Sequence, residues 1–148
     1  MVEIIDIANW FLHKENMTHK KVQKLCYYAQ AWSYALRDIA ISSTTFEAWV
    51  HGPVSPELYS QYAGSGFIEL SPTSLNHIFS SEELEILESV WETYGSSTAN
   101  SLEVLTHGEM PWINARNGCP DNVRCQNEIA PNDMKTYYRS NYNGNLEL

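Results

Sequence analysis

The sequence predicts a mainly α-helical protein with a minor short β-hairpin, folded as a compact, single-domain helical bundle around a central buried helix. A chain of 148 residues fits one domain, and its five Trp and nine Tyr side chains supply enough apolar area for a substantial core. Residues 25–36 carry no charge on any helical face. A helix that is apolar nearly all round is buried nearly all round, so this segment is predicted to be the central element.

The first half of the chain predicts three helices and a short strand. Helical spacing of apolar residues predicts a helix over residues 2–12, followed by the central helix from its N-cap Thr18 to Arg37, with Leu36 on its buried stripe. Residues 46–50 are rich in strand-forming side chains, and residues 51–54 are predicted to turn the chain. Ser55 followed by Pro56 is a strong helix start, and that helix should end near Gly64.

The second half predicts further helices joined by loops. Residues 64–77 are predicted to form a loop with a second strand at 66–70. A capping box at Ser80 opens a helix that runs to Tyr94. Thr98 caps the next helix, Pro111 begins a short one, and residues 117–128 are irregular. A last helix is predicted over residues 132–142, so we expect a single domain over 1–142 and a frayed tail over 143–148.

The charge is large and unevenly distributed. The net charge is −9, with ten Glu and no Lys or Arg between Arg37 and Arg116. Phosphates repel such a surface, so direct nucleic-acid binding is not expected. The acidic segment either steers the protein towards a basic partner or is a solvated face that maintains solubility. Lys20, Lys21 and Lys24 oppose the dipole at the start of the central helix, which indicates either a partner contact or lysines that face water.

Catalytic and metal-binding patterns are weak in this sequence. The three cysteines have neither disulfide-framework nor zinc spacing, and Cys26 falls on the apolar stripe of the central helix. No histidines occur at i, i+4 spacing, and no nucleophile or nucleotide-binding motif is present. We therefore expect no enzyme, no metal and no cofactor. The start lacks a signal-peptide pattern and no apolar run could span a bilayer, so we expect a cytoplasmic protein without membrane contact.

Two segments are candidates for a functional surface. Residues 49–59 combine a glycine turn with two prolines, which is typical either of a stiff structural connection or of an exposed helix N-terminus that receives a carboxylate or phosphate. Residues 106–112 place His107 at a helix end before a proline. Trp112 then serves either as a core residue or as an interface anchor.

Three blocks of the sequence resemble one known family. Residues 24–32 (Lys-Leu-Cys-Tyr-Tyr-Ala-Gln-Ala-Trp), residues 47–54 (Glu-Ala-Trp-Val-His-Gly-Pro-Val), and Thr106-His107 with Pro111-Trp112 are similar to the successive signatures of the Panacea domain. This is the SocA-like antitoxin family, also labelled phage-associated protein. The blocks keep the family's order and bracket roughly residues 18–116. Met110 departs from the commoner Pro-Pro-Trp form, and residues 117–125 have no counterpart, which indicates an inserted loop.

The resemblance implies a mainly helical antitoxin of a toxin–antitoxin pair. Family members neutralise unrelated toxins by direct binding, so the implied partner is a cognate toxin, encoded adjacently. Delivery of that toxin to a Clp-type protease is a further implied mode. The candidate partner-binding residues are Lys20, Lys24, Trp49, His51, Gly52, Pro53, Val54, His107 and Trp112.

Two other functions compete with this reading. One is a phage or mobile-element protein with a regulatory or structural role and no toxin. The other is a small hydrolase that uses His51 and His107 near the helix N-terminus at Ser55.

Overall fold

The computed structural model describes residues 1–62, 67–68 and 74–146. Within these residues the chain is mainly helical, with seven α-helices, a short 3-10 helix at Asn76–Ile78 and two small antiparallel sheets. The elements in chain order are α1 Ile4–Leu12, β1 Met17–Thr18, α2 His19–Arg37, β2 Glu47–Trp49, β3 Gly52–Val54, α3 Pro56–Tyr62, β4 Phe67–Ile68, α4 Ser81–Tyr94, α5 Ala99–His107, α6 Met110–Arg116 and α7 Pro131–Leu146.

Helix α2 is the centre of the fold, as predicted. It packs against α7, α4, α1 and α5, and every residue from Val22 to Ser33 is buried. Cys26 is a core residue, as expected. Leu36, which was predicted to be buried, is exposed because the helix emerges from the core in its last turn.

A buried glutamine ties α2 to the segment that follows it. The side-chain amide of Gln30 donates to the carbonyl oxygens of Ser42 and Thr44, and its oxygen accepts from the backbone N–H groups of Ile41 and Ser42. Four hydrogen bonds satisfy a side chain that would otherwise be costly to bury. They hold the connection that leads from α2 into β2.

The helix starts follow the predicted caps. The hydroxyls of Thr18, Ser80 and Thr98 each accept a backbone N–H, and Ser80 forms the complete capping box with Glu83. Helix α7 differs from its prediction, because it continues to Leu146 and not only to residue 142. No helix among the described residues combines the length and the apolar character that crossing a membrane requires.

The strands differ more from the prediction. Residues 52–54 were expected to be a turn but form β3, which pairs antiparallel with β2 and closes a hairpin at Val50 and His51. Gly52 and Pro53 locally favour a turn over a strand, yet proline is tolerated on an edge strand. The predicted strand at 66–70 is confirmed at Phe67–Ile68, which pairs with β1. Its other residues lie outside the described part of the chain.

Three tyrosines and one glutamate form a buried polar cluster between α2, α7 and the start of α6. The carboxylate of Glu109 accepts the hydroxyls of Tyr28 at 2.8 Å and Tyr138 at 2.7 Å, and Tyr138 contacts the hydroxyl of Tyr27 at 3.1 Å. Burial raises the pKa of Glu109, although both tyrosine hydrogen bonds oppose that rise. The cluster joins three elements through polar side chains inside an aromatic core.

Candidate functional site

One cavity collects most of the predicted functional residues. It has a volume of about 170 Å³ and lies between the first turns of α2, the β2–β3 hairpin and α3. Five of the nine predicted residues line it: Lys20, Lys24, Trp49, His51 and Val54. The other lining residues are His19, Gln23 and Tyr59.

Lys24 is buried beside this cavity. Its side chain is 1 % exposed, and its ammonium Nζ donates to the carbonyl oxygen of Pro53 at 3.1 Å. The residue follows the first turn of α2, where the sequence indicated either a partner contact or a lysine facing water. The water-facing alternative is wrong for Lys24, because the β2–β3 hairpin folds over its side chain.

Gly52 allows the hairpin to approach this lysine. Its φ angle is +109°, a backbone conformation that residues with a side chain rarely adopt. A Cβ atom at position 52 would lie 2.6 Å from Cε of Lys24 and 2.9 Å from Oγ1 of Thr106. Glycine is therefore required here both by the backbone conformation and by the contact with α2 and α5.

Burial makes the Lys24 amine unusually acidic. Loss of hydration and the nearby charge of Lys20 lower its pKa from 10.5 to about 7, while the charge of Glu103 acts in the opposite direction. Buried charges in proteins are normally paired with an acid. No carboxylate of the described residues forms a salt bridge with Lys24.

Glu103 of α5 connects two basic residues at the rim of the cavity. It forms an ion pair with Lys20, and its other oxygen lies 3.1 Å from Nδ1 of His51. Partial burial acts to raise the pKa of Glu103, but the hydrogen bonds from Lys20 and His51 outweigh burial and hold that pKa below its ordinary value. Both oxygens of Glu103 are thus already engaged at the rim.

Aromatic rings form the outer wall of the cavity. Tyr59 packs against Trp49 at 4.9 Å and against His19 at 5.3 Å between ring centroids. Burial, reinforced by the charge of Lys24, lowers the pKa of His19. Tyr59 is 42 % exposed, so this wall reaches the protein surface.

His107 and Trp112 lie behind the hairpin, outside this cavity. Trp112 is 2 % exposed and its Nε1 donates to the carbonyl oxygen of Trp49 at 2.9 Å. His107 stacks on Trp112 at 4.1 Å, and burial is the main cause that lowers its pKa. Trp112 is therefore a core residue that supports β2, and not the interface anchor that was the alternative.

The helix start at Ser55 does not form an exposed anion site. Ser55 is fully buried, and its N–H donates to Oε1 of Gln23. Its hydroxyl accepts from the N–H of Leu58. The connection between β3 and α3 is therefore structural, and the anion-receiving alternative for this helix N-terminus is wrong.

The two histidines of the hydrolase hypothesis have different surroundings. His51 lies at the exposed rim beside Glu103, whereas His107 stacks behind the hairpin with Trp112. Among the residues that the structure describes, no three His, Cys, Asp or Glu side chains come together in a way that could hold a metal ion.

Three residues of the site were not predicted: His19 and Gln23, which line the cavity, and Glu103, which pairs with Lys20 and His51. Tyr59 lies at the end of the predicted segment 49–59. Gln23 follows the predicted Lys20 by three residues and His19 by four, so these side chains share one face of α2. Helical spacing could therefore have indicated His19 and Gln23. Glu103 was grouped only with the acidic segment. No local signal places it beside residues 20 and 51, because their proximity depends on how α5 packs on α2.

Comparison with known proteins gives one family. A family model described as "Antitoxin SocA-like, Panacea domain" matches residues 22–113, which is more than half of the 148 residues. The matched region contains Lys24, the β2–β3 hairpin, α5 and Trp112. No curated protein and no solved structure gives a significant match.

Proposed function

Because this chain belongs to the Panacea-domain family of SocA-like antitoxins, we propose that it neutralises a cognate toxin by binding that toxin directly, without catalysis. The family match over residues 22–113 carries the proposal. In this proposal the protein acts in the cytoplasm, and its toxin is encoded by an adjacent gene. Release of the toxin to a Clp-type protease is a later step that the same complex could serve.

The three family-like blocks support a common surface, since they meet at one point in space. Lys24 comes from the first block, Gly52 from the second and Thr106 from the third, and a side chain at Gly52 would contact both others. The residues that resemble the family's signature thus shape one wall of the cavity. A binding surface needs such rigid support, because ordering mobile groups weakens association.

We assign the aromatic outer wall of the cavity, formed by Trp49 and Tyr59, to the contact with the toxin. Tyrosine and tryptophan dominate the energetics of many protein interfaces, and Tyr59 and Trp49 stand at the mouth of the cavity. The net charge of −9 favours a basic partner and accelerates its approach. Lys14 and Lys20 pair with Glu88 and Glu103, so the basic cluster is partly neutralised within the molecule.

The first experiment tests neutralisation. The neighbouring open reading frame is induced alone and together with this chain in a bacterial host, and growth and co-purification are measured. We expect growth arrest from the neighbour alone, relief on co-expression, and a stable complex on affinity purification. Unrelieved toxicity without co-purification, or a neighbour that belongs to a phage morphogenesis cluster and is harmless, would contradict the antitoxin role.

A pair of variants tests the surface. Tyr59→Arg adds a charge to the rim, whereas Ile39→Arg adds the same charge at a comparably exposed position beyond the opposite end of α2. We expect Tyr59→Arg to abolish neutralisation and Ile39→Arg to retain it, with both proteins folded by circular dichroism. The reverse pattern would place the toxin contact elsewhere.

A further inference from the structure

We infer that the cavity between α2, the β2–β3 hairpin and α3 is a binding site for a carboxylate carried on a short apolar or aromatic stem, with Lys24 as its counter-ion. This inference goes beyond the antitoxin role and does not depend on it. The same chemistry could come from a free small molecule or from an acidic side chain of a bound protein, and the experiments below separate the two sources.

The first argument is the unfilled pairing capacity of Lys24. An ammonium group has three N–H donors, and the described residues provide one acceptor, the carbonyl of Pro53. Glu103, the acid whose charge raises the pKa of Lys24, is already bound to Lys20 and His51. A buried cation is stabilised when an anion approaches it with good hydrogen-bond geometry, and Lys24 is one of the residues that line the cavity.

The second argument is the shape and chemistry of the walls. Val54, Trp49 and Tyr59 present apolar and aromatic surface around the lysine. A volume of about 170 Å³ accommodates a benzene-sized group. Small-molecule sites typically combine such walls with few polar groups that fix orientation. An inorganic phosphate has no apolar part to contact the aromatic wall, whereas a carboxylate on an apolar stem can contact both that wall and Lys24.

The third argument is the balance of charge around Lys24. From its own helix Lys24 faces His19 and Lys20; from α5 it faces Glu103 and His107, and from the hairpin turn His51 lies at the rim. Burial and the Lys24 charge lower the pKa of His19, and burial is the main cause that lowers the pKa of His107. Because Glu103 is already paired with Lys20, the charge of Lys24 is left for an incoming anion.

Binding should therefore take up a proton above neutral pH. Free Lys24 loses its proton with a pKa of about 7, whereas a bound carboxylate favours the charged amine and raises that pKa. Affinity is highest below pH 7 and weakens as the pH rises, by up to about tenfold per pH unit, because each binding event must first protonate the amine.

The direct test is a titration of the isotopically labelled full chain with benzoate, followed by NMR at pH 6.5 and constant ionic strength. Benzamide has the same size and no charge, so it serves as the matched probe. We expect saturable shifts at Gly52 and at the Trp49 indole, with a dissociation constant on the order of 1–10 mM for so small a ligand. Benzamide should bind at least tenfold more weakly, and equal binding of the two probes would overturn the inference.

Variants then assign the contact to Lys24. Lys24→Met keeps the length and apolar stem of the side chain and removes the charge, while Lys14→Met makes the same change at an exposed lysine that pairs with Glu88. We expect Lys24→Met to lose benzoate binding by tenfold or more and Lys14→Met to retain it. Benzoate binding by a folded Lys24→Met protein with wild-type affinity would overturn the inference.

The pH profile of the unmodified protein keeps the inference testable even if Lys24→Met fails to fold. Benzoate is fully ionised across the range, so the expected weakening between pH 7 and pH 9 reports on the protein. Calorimetry in two buffers of different ionisation enthalpy should show proton uptake at pH 8. A flat profile with no uptake would contradict the role of Lys24.

The source of the natural carboxylate is settled by competition with the toxin. If saturating benzoate weakens toxin binding to the wild type but not to Lys24→Met, the toxin supplies the carboxylate through an acidic side chain. If benzoate binds without altering toxin affinity, the ligand is a separate small molecule. Failure of the antitoxin role would leave the benzoate titration unchanged, so the two proposals fail independently.

Discussion

At the scale of single residues, the contact between Gly52 and Lys24 determines the shape of the cavity. The hairpin lies on the lysine side chain only because residue 52 has no Cβ and adopts a φ of +109°. The same contact removes the Lys24 amine from water and lowers its pKa. Conformation, burial and charge are therefore linked at one position.

Replacing Gly52 by alanine tests this link. We expect Gly52→Ala to lower the free energy of unfolding by about 2–4 kcal/mol, because backbone strain adds to a clash with Lys24 and Thr106. Gly118→Ala is the control, since Gly118 also has positive φ, +81°, but a Cβ there meets nothing within 4 Å. In urea denaturation the control should lose about 1 kcal/mol of unfolding free energy. Equal losses in both variants would show that the clash is unimportant.

The buried amine also predicts how stability depends on pH. The pKa of Lys24 is about 7 in the folded protein, against the ordinary value of 10.5 in the unfolded chain. The unfolded chain therefore binds more protons between these two pH values. Stability from this group therefore rises as the pH increases from 7 towards 10. Lys24→Met should lack that rise, and the difference between the two denaturation profiles isolates it from other groups. Parallel profiles would mean that the folded amine titrates normally.

At the scale of elements, the hairpin is held from behind by α6. Trp112 donates to the carbonyl of Trp49, and the guanidinium of Arg116 donates to the carbonyl of Ala48. The second terminal nitrogen of the same guanidinium, Nη2, donates to the carbonyls of Pro120 and Val123. One buried arginine thus fixes both β2 and the irregular segment 117–128, whose residues 117–125 have no counterpart in the family resemblance.

Removing this arginine should loosen that segment selectively. Arg116→Met keeps an apolar stem but leaves three backbone carbonyls without their donor, and we expect a loss of about 2–4 kcal/mol in unfolding free energy. Amide exchange of residues 119–129 should accelerate more than that of α2. Arg124→Met, at an exposed position of the same segment, should leave exchange unchanged. Uniform acceleration across the chain would indicate a global effect instead.

At the scale of the whole molecule, the tyrosine–glutamate cluster joins distant parts of the chain. Glu109 connects Tyr28 of α2 with Tyr138 of α7, which are far apart in sequence. Helix α7 makes the most extensive packing with α2, and the match to the family model ends at residue 113, before α7 begins. The core of this protein therefore depends on a helix outside the matched region.

The raised pKa of Glu109 gives a prediction for acid conditions. Its folded pKa lies above the unfolded value because of burial, so the folded state binds more protons between the two values. The stability that protonated Glu109 contributes is fully present below the pKa of this residue in the unfolded chain, and it is lost as the pH rises through its pKa in the folded protein. Between pH 7 and pH 4.5 the wild type should gain stability relative to Glu109→Gln, which keeps an acceptor for both tyrosines. A constant difference across this range would contradict the assignment.

The sequence by itself determined the helices, their caps and the identity of the central helix. These features depend on neighbours within about four residues, as at Thr18 and Ser80, where a hydroxyl meets a nearby N–H. The resemblance to the family, later confirmed by the family match, also rested on local blocks of residues.

Only the tertiary structure decided which of those residues form a site. In the sequence, Lys24 resembles any lysine that faces solvent. It is buried because the β2–β3 hairpin covers it, and the glycine and proline at 52 and 53 predicted a turn there and not a strand. Glu103 reaches Lys20 and His51 because α5 packs on α2. Burial and long-range charge pairing are properties of packed surfaces, so no local pattern of residues specifies them.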